Sequence, residues 1–352
     1  MSEKSTIHSL GLLRLIFILG IVLFHVHSVF GDPCVSVLGK AYKWGGGLGN
    51  IFFFVSSGLL ISRAYYRRLA QSDGLTLPAF LGRRLVTIYP LFLITNVFMF
   101  AYEAMKTTPP TIDFSRLLMT LLFVGKGWVG NQEPYNFPTW FVCVLVLCYV
   151  LYYAIVRISK SRLSYRVLLF AGILLGYVGR IGTIDLPLLN SATGGGEMYF
   201  FIGCALNELL YDESRCSPLE KYIYIMLFGA FGFITVASCL FGFGNIASDT
   251  SLLLGAIVVP CVLIICFKVK WLNSFCDNRL FKHLSHLSTP LFYWHIPVLV
   301  SFNAIHRIVH PEVTGGIAMI AYFTLLILVC ELSNAVFSRV EYRLRKDLLA
   351  GY

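Results

Sequence analysis

Long apolar runs, each closed by a short polar or basic stretch, recur from one end of the chain to the other. A helix rising 1.5 Å per residue needs roughly 20 such residues to cross ~30 Å of hydrocarbon. The pattern predicts spans near 9–30, 45–62, 85–102, 138–156, 166–182, 192–210, 220–241, 250–267, 284–305 and 315–338. A weaker run at 117–129 is broken by Gly125, Lys126 and Gly127, and reads as a re-entrant or interfacial piece. A β-barrel would instead show short segments of alternating polarity. The expected fold is therefore all-α: a polytopic membrane bundle of about ten transmembrane helices. It forms one membrane-embedded domain over 1–352, with no separate soluble domain. The longest stretch between spans, about 103–137, carries Thr107-Thr108-Pro109-Pro110 and Gly130-Asn131-Gln132-Glu133-Pro134, the turn chemistry of an ordered loop. The first run is too long for a signal peptide's apolar core and is interrupted by Arg14, so it reads as a retained helix.

Composition agrees: 57% hydrophobic and 13% charged residues exclude an ordinary soluble globule. Charge then orients the bundle. With ten spans and a cytoplasmic N-terminus, 21 of the 28 basic residues fall on one side. That bias places both termini in the cytoplasm, and an eleventh span would destroy it. The net charge of +10 thus serves topology and anionic lipid headgroups, and calls for no nucleic acid. Cysteines such as Cys143, Cys148, Cys204 and Cys330 sit in apolar runs with no C-x-x-C pair. They read as small packing residues, and no metal site is expected.

Ionisable groups inside spans are costly and usually have a task. Arg14 and His25 lie eleven residues apart in the first span, about 16 Å along a helix axis. The guanidinium would sit at one face of the bilayer and the imidazole deep within it. His295, between Pro290 and Pro297, reaches a similar depth in its own span, so two buried histidines point to a polar pocket. Arg67 and Arg68 follow the second span, and Arg83 and Arg84 open the third; arginine forks at such a rim suit phosphate groups. Glu331 in the last span and Glu341 at its inner end are candidate partners for rim arginines. Neither Gly45-Gly46-Gly47 nor Gly194-Gly195-Gly196 has the lysine or the context of a phosphate-binding P-loop.

Taken in order, these pieces resemble the acyltransferase 3 family of integral membrane acyltransferases that modify surface polysaccharides. The family's Arg/Lys-x10-His element is matched by Arg14 and His25, and its Phe-Phe-x-x-Ser-Gly helix by Phe53, Phe54, Ser57 and Gly58. Arg83, Arg84, Ile88 and Pro90 match the following arginine-rich element, in which Thr87 replaces an arginine. Ser288, Tyr293 and His295 match a Ser-x4-Tyr-x-His pattern, and Ser338-Arg339-Val340-Glu341 a terminal glutamate motif. At Trp140-Phe141-Val142 this chain lacks the acid that many relatives carry one turn later.

The resemblance implies an O-acyltransferase of the cell inner membrane. It would move acetyl from cytoplasmic acetyl-CoA, the donor substrate, to a hydroxyl of a surface or lipid-linked glycan. His25 and Arg14 would be catalytic, and Arg83, Arg84, Arg67 and Arg68 would hold the donor. Ser57, Trp140, Tyr293 and His295 would line the acceptor pocket. The alternatives are a polysaccharide or lipid-linked sugar exporter, or the same chemistry with a succinyl donor.

Overall fold

Helix α1 (His8–Phe30) packs antiparallel on α2 (Tyr42–Leu69) through glycines that let the two backbones meet. A Cβ at Gly45 would stand 2.1 Å from the Gly20 carbonyl oxygen, and one at Gly46 would strike the Phe24 ring. Phe17 stacks on Phe52 further along, so position 24 lies level with 46 and position 17 with 52. The computed structural model describes residues 7–30, 42–71, 74–106, 112–129, 132–182, 186–210, 251–309 and 316–350.

The remaining elements are α3 (Leu77–Lys106), the short α4 (Phe114–Leu121), α5 (Trp140–Ile158), α6 (Arg162–Ile181) and α7 (Ser191–Leu210). They are followed by α8 (Ser251–Lys268), α9 (Lys270–Cys276), α10 (Arg279–His286), α11 (Ser288–Val309) and α12 (Gly316–Ala350). The fold is all-helical, with no strand among the described residues. Seven of these helices, α1, α2, α3, α5, α6, α8 and α12, are long and apolar enough to cross a membrane. Helices α7 and α11 coincide with two further expected spans. The expected span at 220–241 lies outside the described residues.

Close helix crossings and buried polar pairs hold the bundle together. Gly58 and Gly203 face each other across α2 and α7; a Cβ on either would lie 1.9 Å from a carbonyl oxygen of the opposite helix. Small residues at such crossings are how membrane helices gain packing when lipid offers no hydrophobic drive. Between α6 and α7, Glu208 accepts from both Arg162 and Arg166, which compensates a buried charge. Helix α8 begins with a wide turn over Leu254–Val258 just before Pro260, whose ring breaks the regular ladder. Cys143, Cys148, Cys204, Cys266 and Cys330 are free and buried, as packing residues should be, whereas Cys261 is exposed.

The 117–129 stretch forms the short α4 and then a run of turns. Asp113 caps α4 by accepting the Arg116 backbone N–H. Gly127 adopts φ +85°, a backbone that favours glycine, and its carbonyl accepts from Leu188 N and Asn190 Nδ2. The loop is thereby tied over the bundle end where α5 and α7 start.

Candidate active site

The spacing of Arg14 and His25 is close to three helical turns, so both side chains leave the same face of α1. At the His25 end, the ring meets His295 of α11: His295 Nε2 lies 3.2 Å from His25 Nδ1. His295 is fully buried, and its Nδ1 lies 3.1 Å and 2.8 Å from the carbonyl oxygens of Leu291 and Phe292. Carbonyls only accept, so His295 Nδ1 carries the proton. In the neutral pair His295 Nε2 is therefore the acceptor and His25 Nδ1 the donor. The lone pair of His25 then resides on Nε2. The backbone of Ile21, one turn back, also holds the His25 ring by a hydrogen bond. Phe24 and Phe137 pack edge-on against it, both at 5.1 Å between centroids.

A proline and an asparagine position this corner. Pro297 has no N–H, which leaves the Tyr293 carbonyl without its helical donor. Asn136 Nδ2 supplies one at 2.9 Å. The Asn136 backbone N–H donates to Asn96 Oδ1 of α3, also at 2.9 Å, and Thr139 Oγ1 donates to the Asn136 carbonyl. This network pins the 3-10 turn Phe137–Thr139, which sets Phe137 on His25 and starts α5 at Trp140. Tyr322 from α12 donates to the His295 carbonyl at 3.0 Å and braces α11 from its other side.

Three turns away, Arg14 and Arg84 lie within electrostatic range of each other and of the Tyr149 phenol. The Arg84 guanidinium also rests over Tyr65, 4.3 Å from the ring centroid. The Nε atoms of Arg14, Arg83 and Arg84 are all buried with no hydrogen-bond partner. A buried guanidinium N–H left unpaired costs free energy that an anionic ligand would recover. Arg67 and Arg68, by contrast, are exposed at the end of α2 and belong to the outer rim. Thr87, standing where the family pattern has an arginine, donates to Glu341 Oε1 at 3.2 Å. Glu331 meets His283 of α10 at 2.8 Å, so its partner is a histidine and not a rim arginine.

A cavity of about 640 Å³ opens beside the histidine end, between the starts of α2, α5, α7 and α8 and the end of α6. Its depth follows from the antiparallel α1–α2 pairing, which sets His25 level with the α2 start. Trp140 lines it, three residues after the Phe137 that touches His25. Tyr293 faces elsewhere: residues two apart on a helix point about 160° apart, so it lies opposite His295 and is buried towards Tyr149. Ser57 lies one turn below Phe54, the deepest cavity residue of α2. His25 and His295 are not among the residues that line the cavity.

Sequence reasoning passed over Arg180, which lines the cavity, and Glu197, whose buried Oε1 has no hydrogen-bond partner. An isolated charge in each of two apolar runs, Arg180 and Glu197, was the available signal.

The acyltransferase 3 family, described as an acyltransferase domain, matches residues 7–332, nearly the whole chain. The chain belongs to this family. It is accordingly a membrane acyltransferase, and its multi-helix bundle is the scaffold of that activity. No curated protein and no solved structure matches the chain.

Proposed function

We propose that this acyltransferase takes acetyl from acetyl-CoA at the cytoplasmic face of the inner membrane and transfers it to a hydroxyl of a surface or lipid-linked glycan. One observation carries the reading: Arg14 and His25 share a face of α1, with unpartnered arginine Nε atoms at one end and the histidine pair at the other. The separation of about 16 Å is of the order of an extended pantetheine arm. Phosphates held by Arg14, Arg83 and Arg84 would leave the thioester near His25. Exposed Arg67 and Arg68 would attract the polyanion to the rim before it enters.

In this reading the acceptor hydroxyl attacks the thioester carbonyl carbon while His25 Nε2 takes its proton. The tetrahedral intermediate then collapses, the C–S bond breaks, and the proton passes to the leaving thiolate. His295 acts through His25 as a positioning residue, because its bond to two backbone carbonyls selects the tautomer that leaves the lone pair on the reactive nitrogen.

The test is the content of base-labile acetyl esters on the glycans of cells carrying wild type or His25→Ala. The variant, at normal protein level, should lose ester by roughly 10²-fold or more, the usual scale for a general base. Unchanged ester content would remove His25 from the chemistry.

A further inference from the structure

The cavity at the histidine end is built differently from the arginine end, and the donor reading leaves it unused. Aromatic faces from Trp140, Tyr199 and Phe54 form its apolar lining. Arg180 stands among them with its guanidinium 5.6 Å from the Tyr199 centroid. Its Nη2 is hydrogen-bonded to Ser251 Oγ, while its Nε is buried without a partner. Tyr199 is fixed in turn by donating to the Ser251 carbonyl at 2.9 Å. A Cβ at residue 195 would come within 3.0 Å of Arg180 Nη1, so Gly195 gives the guanidinium its room. The two other charges on the wall, Lys126 and Glu133, neutralise each other in an ion pair. The cavity therefore holds one uncompensated positive charge among aromatic rings, in a volume typical of ligand sites.

We infer that this cavity binds the acceptor as a short saccharide bearing an anionic group, a uronate carboxylate or a sugar phosphate, with Arg180 as its counter-charge. Aromatic rings stack on the C–H faces of pyranose rings, and an arginine fork with an unused N–H matches a carboxylate or phosphate. Placement agrees. The 3-10 turn that ends at Thr139 touches His25 through Phe137 and leads directly into Trp140 of the cavity wall, so an acceptor held there stands one turn from the histidine pair. The assignment rests on the acyl-transfer reading for the acceptor's role, but not for the existence of the site.

Gly47 provides the test. It lines the cavity, and a Cβ there meets nothing within 4 Å, so the backbone accepts a side chain at this position and Gly47→Phe adds an aromatic ring at the cavity wall. Helix α2 also loses a glycine, which favours the fold. Binding of trigalacturonate, glucose 1-phosphate and neutral maltotriose to the purified full-length protein would be measured by calorimetry, with acetyl-CoA binding measured in parallel. Wild type should bind one or both anionic probes at least about tenfold more tightly than maltotriose, the worth of a charged hydrogen bond. Which one binds identifies the anion as carboxylate or phosphate. Arg180→Gln should abolish that preference, and Gly47→Phe should abolish saccharide binding while acetyl-CoA binding persists. Anionic binding that survives Gly47→Phe, or wild type that holds acetyl-CoA but no anionic saccharide, overturns the assignment. Saccharide binding without acetyl-CoA binding would instead sink the donor reading and leave this site standing.

Discussion

His25 owes its proposed reactivity to neighbours that are themselves unreactive. Two backbone carbonyls set the protonation of His295, and His295 sets that of His25. The x10 spacing gave the separation of Arg14 and His25 along their span, and matched depth pointed to a polar pocket formed by His25 and His295. The Asn136 bond to the Tyr293 carbonyl was not legible, because it joins residues 157 positions apart. Arg180 was counted only as one of the few basic residues on the outer side, since nothing local reveals that its Nε is buried without a partner. At the proposed donor end, Arg84→Ala should raise the KM for acetyl-CoA by roughly tenfold with kcat little changed, as loss of a ground-state phosphate contact requires. Steady-state kinetics on purified protein checks this. The same substitution at exposed Arg67 should have the smaller effect.

At the scale of helices, hydrophobic period and length were sufficient to place the bundle, because each span must satisfy its own backbone hydrogen bonds in lipid. What they could not give is which helices touch. The α2–α7 crossing depends on two glycines, Gly58 and Gly203, that a hydropathy profile treats as neutral. Gly203→Ala should destabilise the bundle by about 1–3 kcal/mol, since the clash is with backbone and cannot be relieved by a rotamer. Thermal unfolding in detergent measures this. Gly47→Ala, whose added Cβ meets nothing, is the control that should leave Tm unchanged or raised. Pro297 illustrates a second device: a lost helix bond becomes an attachment point for the turn that carries Phe137.

Across the whole molecule, the two candidate sites lie towards opposite ends of the bundle, arginines with unpartnered Nε atoms at one and the aromatic cavity with Arg180 at the other. The bias of basic residues assigns the arginine end to the cytoplasm. Trp271 of α9 and Leu118 of α4 are both exposed and lie at the two ends. Trp271→Cys should therefore react with a membrane-impermeant maleimide only in inverted vesicles, and Leu118→Cys only in right-side-out ones. The reverse pattern would place the arginine cluster away from the side on which the proposed donor enters. The central claim is that donor enters at the arginine face and that His25 turns it over. Radiolabelled acetyl-CoA supplied to inverted and right-side-out membrane vesicles tests it most directly, with base-labile label in glycan as the readout. Wild type should incorporate label only in inverted vesicles, and His25→Ala in neither; equal incorporation by His25→Ala would contradict the account.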